Sequence, residues 1–263
     1  MPEGHTIHRL ALDHRRDLVG PPLAITSPQG RAAAAAERLD GRALVGIDPH
    51  GKHLFYRFER GETLHVHLGL YGRFRRFAVP GPVPRPTVRL RLGGAEWLVD
   101  LIGPTVCSLV DPAAEAAIRL RLGPDPLRRD ADPEEAWRRL RRRRISIGAA
   151  LLDQRILAGV GNVFRAEALF VCGIDPRRPC PAITRADFDA IWTTVEAMLR
   201  RGVKDRRIVT VDPQELGVPR SRIPAHSARY VYRRPECLRC GAPVERFMLA
   251  ARWAYRCPAC QPG

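Results

Sequence analysis

This 263-residue chain has no long apolar run, and that absence excludes one class of protein at once. No stretch reaches the roughly 18 consecutive apolar residues that a membrane-spanning helix needs. The start of the chain, M-P-E-G-H-T-I-H, also lacks the apolar core of a secretion signal. Lysine is scarce, with Lys52 and Lys204 the only two, so nearly all the positive charge sits on arginine. Planar guanidinium groups favour bidentate phosphate contacts over point-charge ones. Acidic residues are outnumbered 28 to 44 by Lys and Arg, which leaves a formal charge of +16. Such a field attracts polyanions, and nucleic acid is the commonest of them; a merely soluble basic surface is the alternative. Regular cysteine pairing is missing too. Of seven cysteines, Cys107, Cys172 and Cys180 share no regular spacing, which fits a reducing, intracellular setting better than a disulfide scaffold. No internal repeat is present. The length suffices for two substantial domains and a small module.

What is present begins at the tail. Cys237-Leu-Arg-Cys240 and Cys257-Pro-Ala-Cys260 form two CxxC pairs separated by sixteen residues, the spacing of a four-thiolate zinc site. Each pair places two soft ligands on one tight turn, and a short hairpin between them closes a tetrahedron.

Ahead of the tail the pattern changes twice. Ile7, Leu10, Ala11 and Leu18 recur at helical spacing after Pro2 and Glu3, both of which suit a first helical turn. From Ala43 to Ala78, A-L-V-G-I, H-L-F-Y-R-F, T-L-H-V-H-L and R-F-R-R-F read as an antiparallel meander. T-V-R-L-R-L and E-W-L-V-D-L add a hairpin around Gly93-Gly94, which makes this half a β-sandwich with a leading helix. G-P-D-P-L at 123–127 breaks both periodicities and reads as a linker. Beyond it the chain reads as helical to about residue 205: a helix capped by Asp132 with Pro133 at its first position, then A-A-L-L-D-Q-R-I-L, a glycine-bearing turn, and V-F-R-A-E-A-L-F-V. A further helix precedes a polar loop over 206–228.

Pro2 is the chemical oddity. Removal of Met1 would leave a secondary amine at the chain terminus, with a pKa of about 7.7–8.0 lowered further by a helix starting beside it. A secondary amine attacking a sugar carbon gives a cationic iminium without any lysine. That cation acidifies the adjacent C–H and permits phosphate elimination, with Glu3 as the neighbouring proton donor. Alone, a proline at position 2 means little.

Four separated segments now stand in order: M-P-E-G, H-G-K-H at 50–53, L-L-D-Q-R-I-L-A-G-V-G-N at 151–162, and the terminal CxxC…CxxCQ. Together they resemble the formamidopyrimidine-DNA glycosylase and endonuclease VIII family over essentially the whole chain. The resemblance implies an α+β multidomain protein: an N-terminal catalytic β-sandwich (1–112), a linker (113–130), a helix–two-turn–helix DNA-binding domain (131–228) and a zinc-ribbon finger (229–263). It implies Pro2 as the Schiff-base nucleophile, Glu3 as the acid at the sugar ring oxygen, and Lys52 as a phosphate contact, where an ordinary turn lysine is the plain reading. Asn162 would grip phosphate at a helix start, or simply cap that helix. Arg252 matches the arginine of the finger tip, with Arg246 and Arg256 as generic rivals. Cys237, Cys240, Cys257 and Cys260 would hold one structural Zn2+.

The implied partner is damaged double-stranded DNA, or single-stranded or bubble DNA, lying in the cleft between the two halves, bound by a monomeric, cytoplasmic, nucleoid-associated enzyme. Such an enzyme must extrude its target and fill the gap. Leu70 and Tyr71 match two residues of the endonuclease VIII wedge, Q-L-Y, while Gly69 replaces its glutamine; core packing is the competing reading of Leu70. D-L-I-G-P-T-V at 100–106 lacks the arginine and phenylalanine of the purine-specific branch, which points to oxidised pyrimidines over ring-opened or oxidised guanine. The reaction implied is glycosylase and AP lyase chemistry with β,δ-elimination; a DNA-binding module without turnover is the other class. His5 stands where many relatives carry a carboxylate, either as a base or as a helix-surface residue. His65 and His67 alternate along one strand, as a metal pair or as ordinary sheet residues, and the arginine cluster 138–144 is a solvated face that can meet DNA backbone.

Overall fold

A helix, α1 (Gly4–Leu18), opens the chain where the apolar spacing predicts one, burying Ile7, Ala11 and Leu18. The computed structural model describes residues 2–263 and divides into two units. One holds the segment up to Glu3 with Ile7–Arg121; the other holds Gly4–Thr6 with Leu122–Gly263.

In the first unit, β1 (Ala24–Thr26) and α2 (Ala33–Leu39) lead into β2 (Leu44–His50), β3 (His53–Phe58), β4 (Thr63–His67), β5 (Arg73–Ala78), β6 (Val88–Gly93), β7 (Trp97–Ile102), β8 (Val106–Val110) and α3 (Pro112–Arg121). Two four-stranded antiparallel sheets result, ordered β2-β3-β4-β8 and β1-β6-β7-β5. They form a β-sandwich whose core takes Leu54, Tyr56, Leu64 and Val66 from one sheet and Leu90, Leu92, Val99 and Leu101 from the other. The meander expected over 43–78 ends one strand early. β8 takes the open edge of β4, pairing Thr63 with Val110 through His67 with Val106, and R-F-R-R-F crosses to pair with β7. Across β6 and β7, Arg91 and Asp100 face each other as a nearly buried ion pair with contacts of 2.6 and 2.8 Å. The first part of the expected linker is helical, since α3 fills Pro112–Arg121.

In the second unit, α4 (Pro133–Arg141) starts as the sequence predicts, with Asp132 accepting from the Glu134 N–H at 2.9 Å. α5 (Ile147–Ala150) is only one turn long. The rest of A-A-L-L-D-Q-R-I-L is turn rather than helix, because Asp153 and Gln154 bond to nearby backbone and compete with helical pairing. α6 (Asn162–Val171) and α7 (Arg185–Asp205) pack through Phe164, Leu169, Ile191 and Val195, and α7 begins with a capping box of Thr184 and Asp187. The segment 206–228 holds α8 (Pro213–Leu216) and short 3-10 turns around buried Val209, Ile223 and Ala228. β9 (Glu245–Leu249) and β10 (Arg252–Arg256) close the chain as a hairpin. No helix of the described residues is long and apolar enough to cross a membrane.

Candidate active site and metal centre

Pro2 is half-buried, and Glu3, fully buried, occupies the N-cap position of α1, its carbonyl accepting from the Ile7 N–H at 3.3 Å. The next residue explains the glycines further on. Gly4 donates its N–H to the Gly159 carbonyl at 2.8 Å, and a Cβ on Gly4 would stand 2.9 Å from Gly159 Cα. Gly159 in turn donates to Gln154 Oε1 at 3.0 Å, while Gln154 Nε2 donates to the Leu152 and Val160 carbonyls. The L-L-D-Q-R-I-L-A-G-V-G-N stretch therefore folds into a rigid turn that anchors the residue following Glu3. His5 is not a helix-surface residue. It is buried edge-on to Phe164 with ring centroids 5.1 Å apart, and burial pushes its imidazole down to about 4.

Lys52 sits in the two-residue turn joining β2 to β3, where His50 pairs with His53 and Gly51 supplies a φ of 58°. Beside it lies a stack of imidazoles: His53 Nδ1 is 2.8 Å from His65 Nε2, and the His53 and His67 centroids are 4.7 Å apart. Burial, with their mutual repulsion, pushes His53 down to about 3 and His65 to about 4, and burial with the Lys52 charge also lowers His67. All three rings are shifted toward the neutral form, beside the charges of Lys52 and Arg119. The nearby turn from β4 to β5 is built from L-G-L-Y-G. Gly69 donates to His67 Nδ1 at 3.0 Å and Gly72 to the Leu68 carbonyl at 3.0 Å, which turns Leu70 and Tyr71 outward at 43% and 83% exposure. Core packing of Leu70 is thereby excluded.

In the second unit Asn162 is the first residue of α6, and Gly161 occupies the cap position, so the plain capping reading fails. Its amide donates to the Trp253 carbonyl at 3.0 Å and accepts from the buried guanidinium of Arg165, which also holds the Trp253 carbonyl at 2.8 Å. The start of α6 is thus pinned to the residue following Arg252. Arg252 opens β10, opposite Leu249, after a tight turn in which Ala250 and Ala251 both have positive φ. Of its rivals, Arg256 is buried in ion pairs with Asp175 and Glu245 at 3.1 and 3.3 Å, and Arg246 stacks on Trp253.

The four tail cysteines converge as their spacing predicts. All their Sγ atoms lie within 4.8 Å of one another, with Cys240–Cys257 at 3.4 Å and Cys237–Cys260 at 4.0 Å. Sulfurs around a tetrahedral ion at about 2.3 Å stand roughly 3.8 Å apart, so the set can hold one metal ion. It is the only group of three or more His, Cys, Asp or Glu so spaced among the described residues. Gln261 braces it: fully buried, it accepts from the Cys257 N–H at 3.0 Å and donates to the Ile174 carbonyl at 2.7 Å.

Comparison with known proteins identifies the family. Residues 1–102 match the formamidopyrimidine-DNA glycosylase N-terminal domain and 122–212 the formamidopyrimidine-DNA glycosylase H2TH domain. The chain is 46% identical over 268 residues to Endonuclease 8 1 of Mycobacterium tuberculosis, covering 99% of this chain and 100% of that protein. The chain belongs to the formamidopyrimidine-DNA glycosylase and endonuclease VIII family. It is 32% identical over 247 residues to the formamidopyrimidine-DNA glycosylase of Thermomicrobium roseum, covering 86% of this chain and 84% of that one. In fold it is similar to a Lactococcus lactis Fpg solved with abasic-site DNA, with a TM-score of 0.81, 20% identity, and coverage of 99% and 100%. Members of the family are DNA glycosylases with AP lyase activity, and this chain is a base-excision enzyme of that class.

Two features of this family member take their meaning from the fold. Glu167, fully buried on α6, accepts from the backbone N–H groups of Tyr230, Val231 and Tyr232 at 2.7, 3.0 and 2.8 Å and from the Thr210 hydroxyl. It fastens the loop that leads into the cysteine finger, and no local spacing marks it. The second is the wedge position. A Cβ at Gly69 would lie 1.9 Å from Thr105 Oγ1, so the glutamine of the endonuclease VIII pattern has no room here. The signal for that was present, as glycines flanking an apolar pair.

Proposed function

We propose that the enzyme removes oxidised pyrimidines from damaged DNA through a Schiff base on the Pro2 amine. The observation that carries this reading is the Pro2-Glu3 pair at the start of α1, with Glu3 fully buried, in a chain matching Endonuclease 8 1 end to end. Once Met1 is removed, the neutral secondary amine attacks deoxyribose C1′ as the C1′–base bond breaks, the departing base keeping the bonding pair and taking the proton that the amine gives up. Glu3 protonates the ring oxygen, and the sugar opens to an iminium. Loss of the C2′ proton then expels the 3′ phosphate, a second elimination expels the 5′ phosphate, and water releases the sugar remnant from the amine. Lys52, Asn162 and Arg252 hold backbone phosphates; Leu70 and Tyr71 fill the gap left by the extruded nucleotide. The four cysteines hold Zn2+, whose part is to fix the hairpin carrying Arg252 and which takes no part in bond making. Residues 131–228 serve as the DNA-binding domain and 229–263 as the finger.

Borohydride trapping on abasic duplex tests the chemistry, with intact mass verifying loss of Met1. A covalent adduct is expected, lost in Pro2→Gly. Glu3→Gln should still trap an opened abasic sugar but excise thymine glycol at least about 100-fold more slowly, since general acid assistance contributes that much. Undiminished trapping by Pro2→Gly, or no adduct from demethionylated protein, would overturn the mechanism. Faster excision of 8-oxoguanine than of thymine glycol or dihydrouracil would overturn the substrate.

A further inference from the structure

Strand alternation gives the finger hairpin two faces. In its register, Arg252 and Ala254 lie with Leu249, Phe247 and Glu245, whereas Trp253 and Tyr255 lie with Met248 and Arg246. The first face is occupied: Leu249 Cδ2 would meet a Cβ on Gly148 at 2.7 Å, and the Arg177 guanidinium sits 4.9 Å over Phe247. The second is open. Trp253 is 43% exposed and Met248 55%, and the Arg246 guanidinium lies 3.7 Å over the Trp253 ring. Arg233, Arg234, Pro235, Val244 and Tyr255 complete a concave region of about 660 Å³ with Arg246 and Trp253, within the ~300–1,000 Å³ that ligand sites occupy. Next to it Tyr232 carries Arg229 and Arg233 at 5.7 and 5.5 Å. Among the described residues no carboxylate pairs with Arg229, Arg233 or Arg246, although Arg239, Arg256 and Arg177 nearby are all paired. Arg233 is also held at a φ of 56°, a conformation that non-glycine residues avoid unless their surroundings enforce it.

We propose that this outer face of the finger, opposite Arg252, is a second DNA subsite that takes an unpaired single strand. One face of the Trp253 indole is covered by Arg246 and the other accepts a stacked base. The N–H edges of Arg246, with Arg233, take the flanking phosphates. Stacking on an aromatic–guanidinium pair tolerates any base, and uncompensated cations select a polyanion. An acidic peptide would satisfy the arginines but leave the indole without a planar partner. The choice of DNA as ligand rests on the function proposed above, so the probe is undamaged and needs no catalysis.

The test titrates a short undamaged oligothymidylate and a blunt undamaged duplex of equal length into the zinc-loaded protein. Arg233→Ala/Arg246→Ala should bind the single strand about ten-fold more weakly, and its log–log salt slope should shrink by about 1.4, or about 0.7 for each phosphate left without its arginine. Blunt-duplex affinity should change less than about two-fold, within the scatter of a single weak ion pair. Trp253→Ala should lose single-strand binding to a similar degree and Trp253→Tyr should retain most of it, with unchanged zinc content certifying the fold of each variant. Unaltered oligothymidylate affinity in the double variant, or equal losses on single strand and blunt duplex, would overturn the subsite.

Discussion

At the scale of single residues, the chain trades side chains for backbone geometry around its proposed wedge. Gly69 has a φ of 66° and a Thr105 hydroxyl where any Cβ would go. Gly69→Gln, which rebuilds the missing wedge glutamine, should therefore cost about 2–4 kcal/mol from left-handed strain and overpacking, and should not improve excision; thermal melting and lesion-cleavage rates read both. His14 provides the clearest pH signature. It is buried against the Tyr56 hydroxyl at 2.7 Å, facing Asp13, Asp17 and Arg76, and burial lowers it from 6.5 to about 4. As pH falls, the unfolded chain binds this proton before the folded one, so its contribution to stability is complete above about pH 6.5 and is lost progressively down to about pH 4. The loss amounts to roughly 3 kcal/mol at 1.36 per pH unit. Urea unfolding across that window should show a slope reduced by about one proton in His14→Gln; an unchanged slope would sink the assignment.

At the scale of elements, the finger is held by devices that differ in how easily they are read. Glu167 gathers three backbone N–H groups and a hydroxyl from chain 43 to 65 residues away. Glu167→Ala leaves the three backbone N–H groups buried and unpaired, and should destabilise the protein by about 3 kcal/mol or more, lowering the urea midpoint and exposing 229–263 to protease. Local rules read well wherever one residue type has one local job. Asp132 with Pro133, the CxxC turns, the strands alternating Val88-Leu90-Leu92, and the order of M-P-E-G, H-G-K-H and G-V-G-N are all visible in sequence. What was illegible depends on distant partners. Nothing near R-F-R-R-F says that β8 will claim the edge of β4, and nothing in G-N says that Asn162 will bond Trp253 rather than cap its own helix. The turn at Ala250 and Ala251 lacks any glycine or asparagine signal. Its strain is tolerated because β9 and β10 pair in register on either side.

At the scale of the whole molecule, a charge of +16 carried almost entirely by arginine sits on a chain whose finger builds its buried core partly from its own Cys237 and Cys257, with Ala166 and Phe170 of α6. The sandwich buries Ile7, Leu54, Tyr56, Leu92 and Val99 in its own right, and none of the four tail cysteines belongs to that core. Metal binding to thiolates is folding free energy for the small element that supplies them. Chelation should therefore act on one part of the chain alone. Hydrogen exchange in 245–256 should rise to that of an unfolded segment, while β2 to β7 keep their protection. If Arg252 holds phosphate as proposed, loss of the ordered hairpin takes it away, so cleavage of abasic duplex should fall by at least about ten-fold, the equivalent of one charge-assisted phosphate hydrogen bond. The salt slope for duplex binding should fall by about 0.9 for each phosphate that regains its counterion. Re-adding Zn2+ should restore protection and cleavage together. Protection that returns without cleavage would mean the hairpin is a folding staple only, and Arg252 would lose its proposed role.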